Sequence, residues 1–183
     1  MAMTTAVFDR FRALNPAREE DWDALYAEQL PRVYNFFRFR VGDGPVAEDL
    51  TSLTFEKAWT ARGRYRRDRA GFCTWLLAIA RNVAIDHWRA RRPHVSLDDA
   101  SGTIELAGGE AADAASERRS DFERLTRLLA ALPDRERDVV ALKYGAGLTN
   151  RAIASQLRLT ESNVGTILHR TIQDLRAGWE GDR

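Results

Sequence analysis

Apolar side chains recur at three- and four-residue steps along most of this chain, and strand-like alternation appears nowhere. That periodicity predicts amphipathic helices, so the fold class is all-α. The most informative stretch is residues 72–93, F-C-T-W-L-L-A-I-A-R-N-V-A-I-D-H-W-R-A-R-R-P, a long helix without an internal Gly or Pro. Phe72, Trp75, Leu76, Ile79 and Val83 fall on its apolar face. Its second half turns basic, with Arg81, Arg89, Arg91 and Arg92. Asn82, Asp86 and Arg89 stand at i, i+4 and i+7 and share one polar stripe. A helix that is core at one end and cationic at the other presents itself to polyanions.

The same period marks the other elements. Residues 22–41 form a helix carried by Trp22, Leu25, Tyr26, Leu30, Val33, Tyr34 and Phe37, kinked or divided at Pro31. Residues 46–61 form another, packing through Val46, Leu50, Leu53 and Ala58, and a basic loop bounded by glycines follows at 63–71. Helical pattern resumes at 122–132, ends at Pro133, and returns at 134–144. Thr149 and Thr160 are the predicted N-caps of a short helix to Leu157 and a longer one to about Ala177. Joined by Arg158-Leu159, these two make a helix-turn-helix pattern. Ile153 and Leu157 with small Ala154 pack the first; Val164, Ile167, Leu168, Thr171, Ile172 and Leu175 turn the second inward. Ser162, Thr166 and His169 form the opposite ridge, flanked by Asn163 and Arg170. Reading base edges in a major groove requires such a ridge near a helix N-terminus. An ordinary helical hairpin would show the same apolar pattern.

Composition and charge change this picture in two places. With 183 residues, 44% apolar and 30% charged, the chain has room for one medium domain or two small ones. Residues 94–121 lose the helical period, interpose Gly108-Gly109 and carry seven acids against Arg118 and Arg119. They read as a flexible acidic linker, which sets the boundaries: a lead-in at 1–21, a helical bundle at 22–93, the linker at 94–121 and the helix-turn-helix domain at 122–183. The net charge of only +1 hides the basic loop and helix end, because the linker cancels them.

No run reaches the length of a membrane span and the N-terminus lacks a signal-peptide core, so a cytoplasmic protein without membrane insertion is expected. The single cysteine, Cys73, excludes an internal disulfide and a Cys-based zinc site. His87, His94 and His169 are isolated, and no phosphate-cradling loop, nucleophile elbow or paired catalytic carboxylates occur. No enzyme activity, metal or cofactor is expected.

In order, these segments resemble the extracytoplasmic-function sigma factors of the bacterial sigma-70 family. Residues 47–59, A-E-D-L-T-S-L-T-F-E-K-A-W, look like the family's polymerase-binding helix, and residues 72–92, with T-W-L, I-A-R-N and A-I-D, like its −10-element helix. Residues 132–144, L-P-D-R-E-R-D-V-V-A-L-K-Y, look like the helix leading into sigma domain 4, and residues 147–176 like its −35-element reader. The resemblance implies a factor that binds core RNA polymerase, recognises and melts the −10 element, binds the −35 element, and is held by an anti-sigma factor.

It places polymerase contacts on Asp49, Thr51, Ser52, Phe55 and Trp59, although both rings could equally be core. For capture of the non-template strand it offers Arg64, Tyr65, Arg66 and Arg67 of the loop, Asn82, Asp86 and Arg89 of the helix, and Arg91 and Arg92 as phosphate clamps. A plain solvated charge run is the other reading of the loop. For the −35 duplex it offers Arg151 and Arg170 to phosphates and Ser162, Asn163, Thr166 and His169 to bases. The chain departs from the family at Ser52-Leu53, where a Gln-Glu pair is usual, at Gly165 and Ile167, where basic residues are common, and at Arg158, often Gly. The alternative is a stand-alone helix-turn-helix regulator, which would need neither the 47–59 surface nor the basic loop.

Overall fold

A computed structural model describes residues 19–66, 68–91 and 112–181, and every described element is helical. Helix α1, Glu19–Val41, runs unbroken through Pro31. The expected division does not occur, because Pro31 lies on the exposed side, where water takes the carbonyl it leaves unpaired. Val33, Phe36 and Phe37 are fully buried along the opposite side. The chain reverses at Gly42, whose φ of 82° suits glycine. Asp43 then caps α2, Gly44–Ala61, its Oδ1 accepting from the Val46 amide at 2.9 Å.

A 3-10 turn at Arg62–Arg64 leads through the basic loop to α3, Phe72–Arg91. Leu76, Leu77, Ala80, Val83 and Ala84 are its buried stripe. Phe72, Trp75 and Ile79, expected in that stripe, sit half-buried at its edge. There Phe72 meets Trp22, Tyr65 and Trp75 with ring centroids 5.5–5.7 Å apart.

Helix α4, Ala112–Ala131, begins inside the tract expected to be linker. The sequence there, A-D-A-A-S-E, lacks apolar period but is rich in alanine, the best helix former. Periodicity reports burial, and this stretch is helical without it. Residues 94–111 of the expected linker, and 1–18 of the lead-in, lie outside the described residues. Helix α5, Asp134–Val140, continues into a π-helical segment, Ala141–Gly145. Then come α6, Asn150–Leu157, and α7, Glu161–Gly181.

The two expected domains pack into one body. A single apolar core runs from Tyr26 and Phe36 of α1 through Leu142 to Ile153 and Leu168. At the seam, a β-carbon on Gly145 would lie 2.8 Å from the Asn35 carbonyl oxygen and 3.1 Å from the Phe36 Cα, so only glycine allows this approach. An ion triad closes the seam beside it. Both carboxylate oxygens of buried Asp138 are used: Oδ1 accepts from Arg40 Nε at 2.7 Å and Oδ2 from Arg81 Nε at 2.9 Å. Arg40 also reaches Asp134 at 3.1 Å.

Candidate promoter and polymerase interfaces

Three surfaces follow from this framework. On α3, Asn82, Asp86 and Arg89 are all exposed and aligned along one line of the helix, as their spacing requires. Lys57 of α2 lies 3.8 Å from Asp86, an exposed pair that contributes little to stability. The basic loop packs at the other, N-terminal end of α3. Arg64 and Arg69 are exposed, Arg66 lies 3.7 Å from Asp68, and Tyr65 is held half-buried against Phe72 and Trp75 at 5.5 and 5.2 Å. Tyr65 is thus a fixed ring amid solvated cations. Arg67 and Arg92 lie outside the described residues, and of Arg91 only the helical backbone is described. Trp75 packs in the aromatic cluster, and the Arg137 guanidinium lies over the Trp88 ring at 6.0 Å. Both tryptophans are therefore packing residues.

The helix-turn-helix forms as its caps require. Thr149 Oγ1 accepts from the Ala152 amide at 3.2 Å and Thr160 Oγ1 from the Asn163 amide at 3.1 Å. Between them Arg158 takes the left-handed conformation, φ 55°, the only non-glycine described with positive φ. Val164, Ile167, Leu168 and Thr171 are buried; Ser162, Asn163, Thr166, His169 and Arg170 are exposed on the opposite side, and Arg151 is exposed on α6. Ile167 is core, which explains an apolar residue where a basic one is common. Arg170 is not a free cation: its Nη2 lies 2.6 Å from Glu136 Oε1. Arg158→Gly relieves the strained turn and should raise stability by about 1 kcal/mol, read as an upward shift in thermal midpoint. An unchanged or lowered midpoint would show that the Arg158 side chain offsets its own strain.

On α2 three of the five expected polymerase contacts are buried. Thr51, Phe55 and Trp59 are 3%, 1% and 7% exposed. The Phe55 ring packs on Tyr26 at 4.4 Å, Trp59 on Trp22 at 5.1 Å, and the Thr51 hydroxyl donates to the Ala47 carbonyl at 2.6 Å. These three are core, because burying two large rings outweighs presenting them to water. Asp49 and Ser52 do reach the surface, where Leu53, 38% exposed, and Glu56 complete the stripe. Sequence reasoning also missed Arg40, Glu136 and Asp138.

A capped helix-turn-helix with an exposed polar ridge, in a body whose described elements are all helical, is an architecture that DNA-binding proteins use. Comparison with known proteins makes the class specific. The model of Sigma-70 region 2 matches residues 25–94 and that of Sigma-70, region 4 matches residues 122–175. The ECF RNA polymerase sigma factor SigL of Mycobacterium tuberculosis is 30% identical over 155 residues, 84% of this chain and 85% of SigL. SigM of Bacillus subtilis is 29% identical over 85% of this chain and 93% of SigM. BldN of Streptomyces coelicolor is 30% identical over 82% of this chain, which spans 57% of that longer relative. The chain belongs to the ECF RNA polymerase sigma factors. In fold it is similar to the sigma factor RpoE of Bartonella quintana, solved with the anti-sigma factor NepR, at TM-score 0.71 and 21% identity over 90% of this chain and 99% of that one. It is likewise similar to CnrH, solved with the cytosolic domain of CnrY, at TM-score 0.63 and 20% identity over 97% of each chain. No helix among the described residues is long and apolar enough to cross a membrane.

Proposed function

We propose that this chain binds core RNA polymerase, opens the −10 element of its promoters and anchors the complex on the −35 duplex. The observation that carries the reading is the exposed line Asn82–Asp86–Arg89 on a helix that a loop of exposed cations leads into, in the same chain as an exposed ridge on α7. An extruded base needs hydrogen-bonding groups and its phosphates need cations; the α3 face supplies both. Ser162, Asn163, Thr166 and His169 read the duplex, while Arg151 and Arg170 hold phosphates. Asp49, Ser52, Leu53 and Glu56 form the polymerase stripe. The chain catalyses nothing itself, because the polymerase carries the chemistry. An anti-sigma factor restrains it in the cytoplasm, a reading supported by the complexes in which RpoE and CnrH were solved. A stand-alone regulator would leave the α2 stripe and the basic loop without a role.

The test is transcription reconstituted from core polymerase, this chain and a promoter library. Initiation from a defined promoter class is expected, and initiation no better than with core polymerase alone would overturn the proposal. In the same system Arg170→Ala should weaken promoter binding and lower the log–log salt slope by about one. An unchanged slope would assign Arg170 to its pair with Glu136 and remove it from the DNA contacts.

A further inference from the structure

Several glycines are required by the chain's own structure. A β-carbon at Gly145 would lie 2.8 Å from the Asn35 carbonyl oxygen, and one at Gly178 would lie 2.8 Å from Leu128 Cδ2. Gly42 and Gly147 take φ of 82° and 70°. Gly165 has neither reason. It stands in the interior of α7, outside the positive-φ positions, and a β-carbon there would meet nothing within 4 Å. A glycine at such a position destabilises a helix relative to alanine, so nothing inside the molecule accounts for it.

The place of this gap points to its occupant. Gly165 follows Ser162 by three residues and precedes His169 by four, so it lies on the ridge assigned above to the −35 duplex. That ridge falls inside the segment matched by Sigma-70, region 4. Beside the gap Thr166 is exposed, and its hydroxyl donates to the Ser162 carbonyl at 3.1 Å. With that donor used within the helix, the Cγ2 methyl is what Thr166 brings to a ligand. Gly165 and Thr166 thus make an apolar notch in a ridge whose other members, Ser162, Asn163, His169 and Arg170, are polar. The apolar group that bases present in a major groove is the C5 methyl of thymine.

We propose that Gly165 and Thr166 seat a thymine methyl group of the −35 element, and that Gly165 sets how closely α7 approaches the floor of the groove. Cytosine lacks the methyl group, so the notch separates the two pyrimidines by apolar contact without a hydrogen bond. A β-carbon at position 165 would fill the seat and hold the short side chains of Ser162 and Thr166 away from the base edges. A long cationic side chain there would cover the notch, which gives a reason for glycine where basic residues are common. This inference rests on the promoter-reading function proposed above.

The test uses the full chain assembled with core polymerase on a promoter that it selects from the library. Each −35 thymine is replaced in turn by deoxyuridine, which lacks only the methyl group. The wild type should lose about three- to fivefold in promoter affinity at the seated position, the effect of one buried methyl. Gly165→Ala should weaken binding to the thymine promoter at least about fivefold and bring the thymine-to-uracil ratio at that position to about one. Thr166→Ser, which keeps the hydroxyl and removes the methyl, should lower the same ratio. The thermal midpoint of Gly165→Ala should meanwhile rise by about 2–4 °C, so its lost affinity is not lost fold. A selected −35 element without thymine, or equal affinity for thymine and uracil at every position, would overturn the seat. A Gly165→Ala chain that binds as tightly as the wild type, or melts below it, would overturn the role of the gap. A wild type that selects no −35 sequence would overturn the promoter-reading function itself, a result distinct from the other two.

Discussion

Asn82→Ala combined with Arg89→Ala should severely slow open-complex formation while leaving affinity for core polymerase unchanged. Both side chains are exposed on α3 and neither contributes to the buried stripe through Leu76, Leu77, Ala80, Val83 and Ala84, so helix and fold persist. What is lost is a hydrogen-bonding group and a cation at the line where a strand is held. A neutral hydrogen bond contributes about 0.5–1.5 kcal/mol and one to a charged group about 1.5–3 kcal/mol, so removing both should slow promoter opening on the order of 10²-fold. Permanganate reactivity of unpaired thymines at the −10 element reads it directly. Loss of polymerase binding would mean instead that this line faces the polymerase.

Phe55→Ala is the second large effect, and it falls on stability. The ring is 1% exposed against Tyr26, so its removal leaves a cavity costing about 3–5 kcal/mol. Denaturant unfolding should show that loss, while polymerase affinity per folded molecule stays as in the wild type. Leu53→Ala should do the reverse, weakening polymerase binding by about 1–2 kcal/mol at unchanged stability. If Phe55→Ala instead lowers affinity without loss of stability, the ring is an interface anchor and the core assignment is wrong.

These two substitutions mark where sequence was informative. The helices were legible because their apolar period is regular, and the helix-turn-helix because Thr149 and Thr160 sit where caps must sit. Asn82, Asp86 and Arg89 share a face by spacing alone. Phe55 and Trp59 were ambiguous because an i, i+4 aromatic pair suits a core and an interface equally. Only the neighbours Tyr26 and Trp22, a helix away, decide it. The start of α4 was illegible because an alanine-rich helix with little to bury leaves no periodic trace.

The ion triad was half legible. Val33, Phe36 and Phe37 place Arg40 on the buried stripe of α1, and Leu142 places Asp138 on the buried side of its own helix. A charge on a buried stripe demands a partner. That each was the other's, 98 positions away, needed the fold.

The central claim is that the α3 face holds one strand of the −10 element open. A photoreactive amino acid placed at Asn82 in the full chain, assembled with core polymerase on a labelled promoter, tests it at the contact itself. Cross-links to non-template bases of the −10 element are expected, appearing with strand opening. Cross-links to polymerase subunits, or to both strands equally before opening, would contradict it.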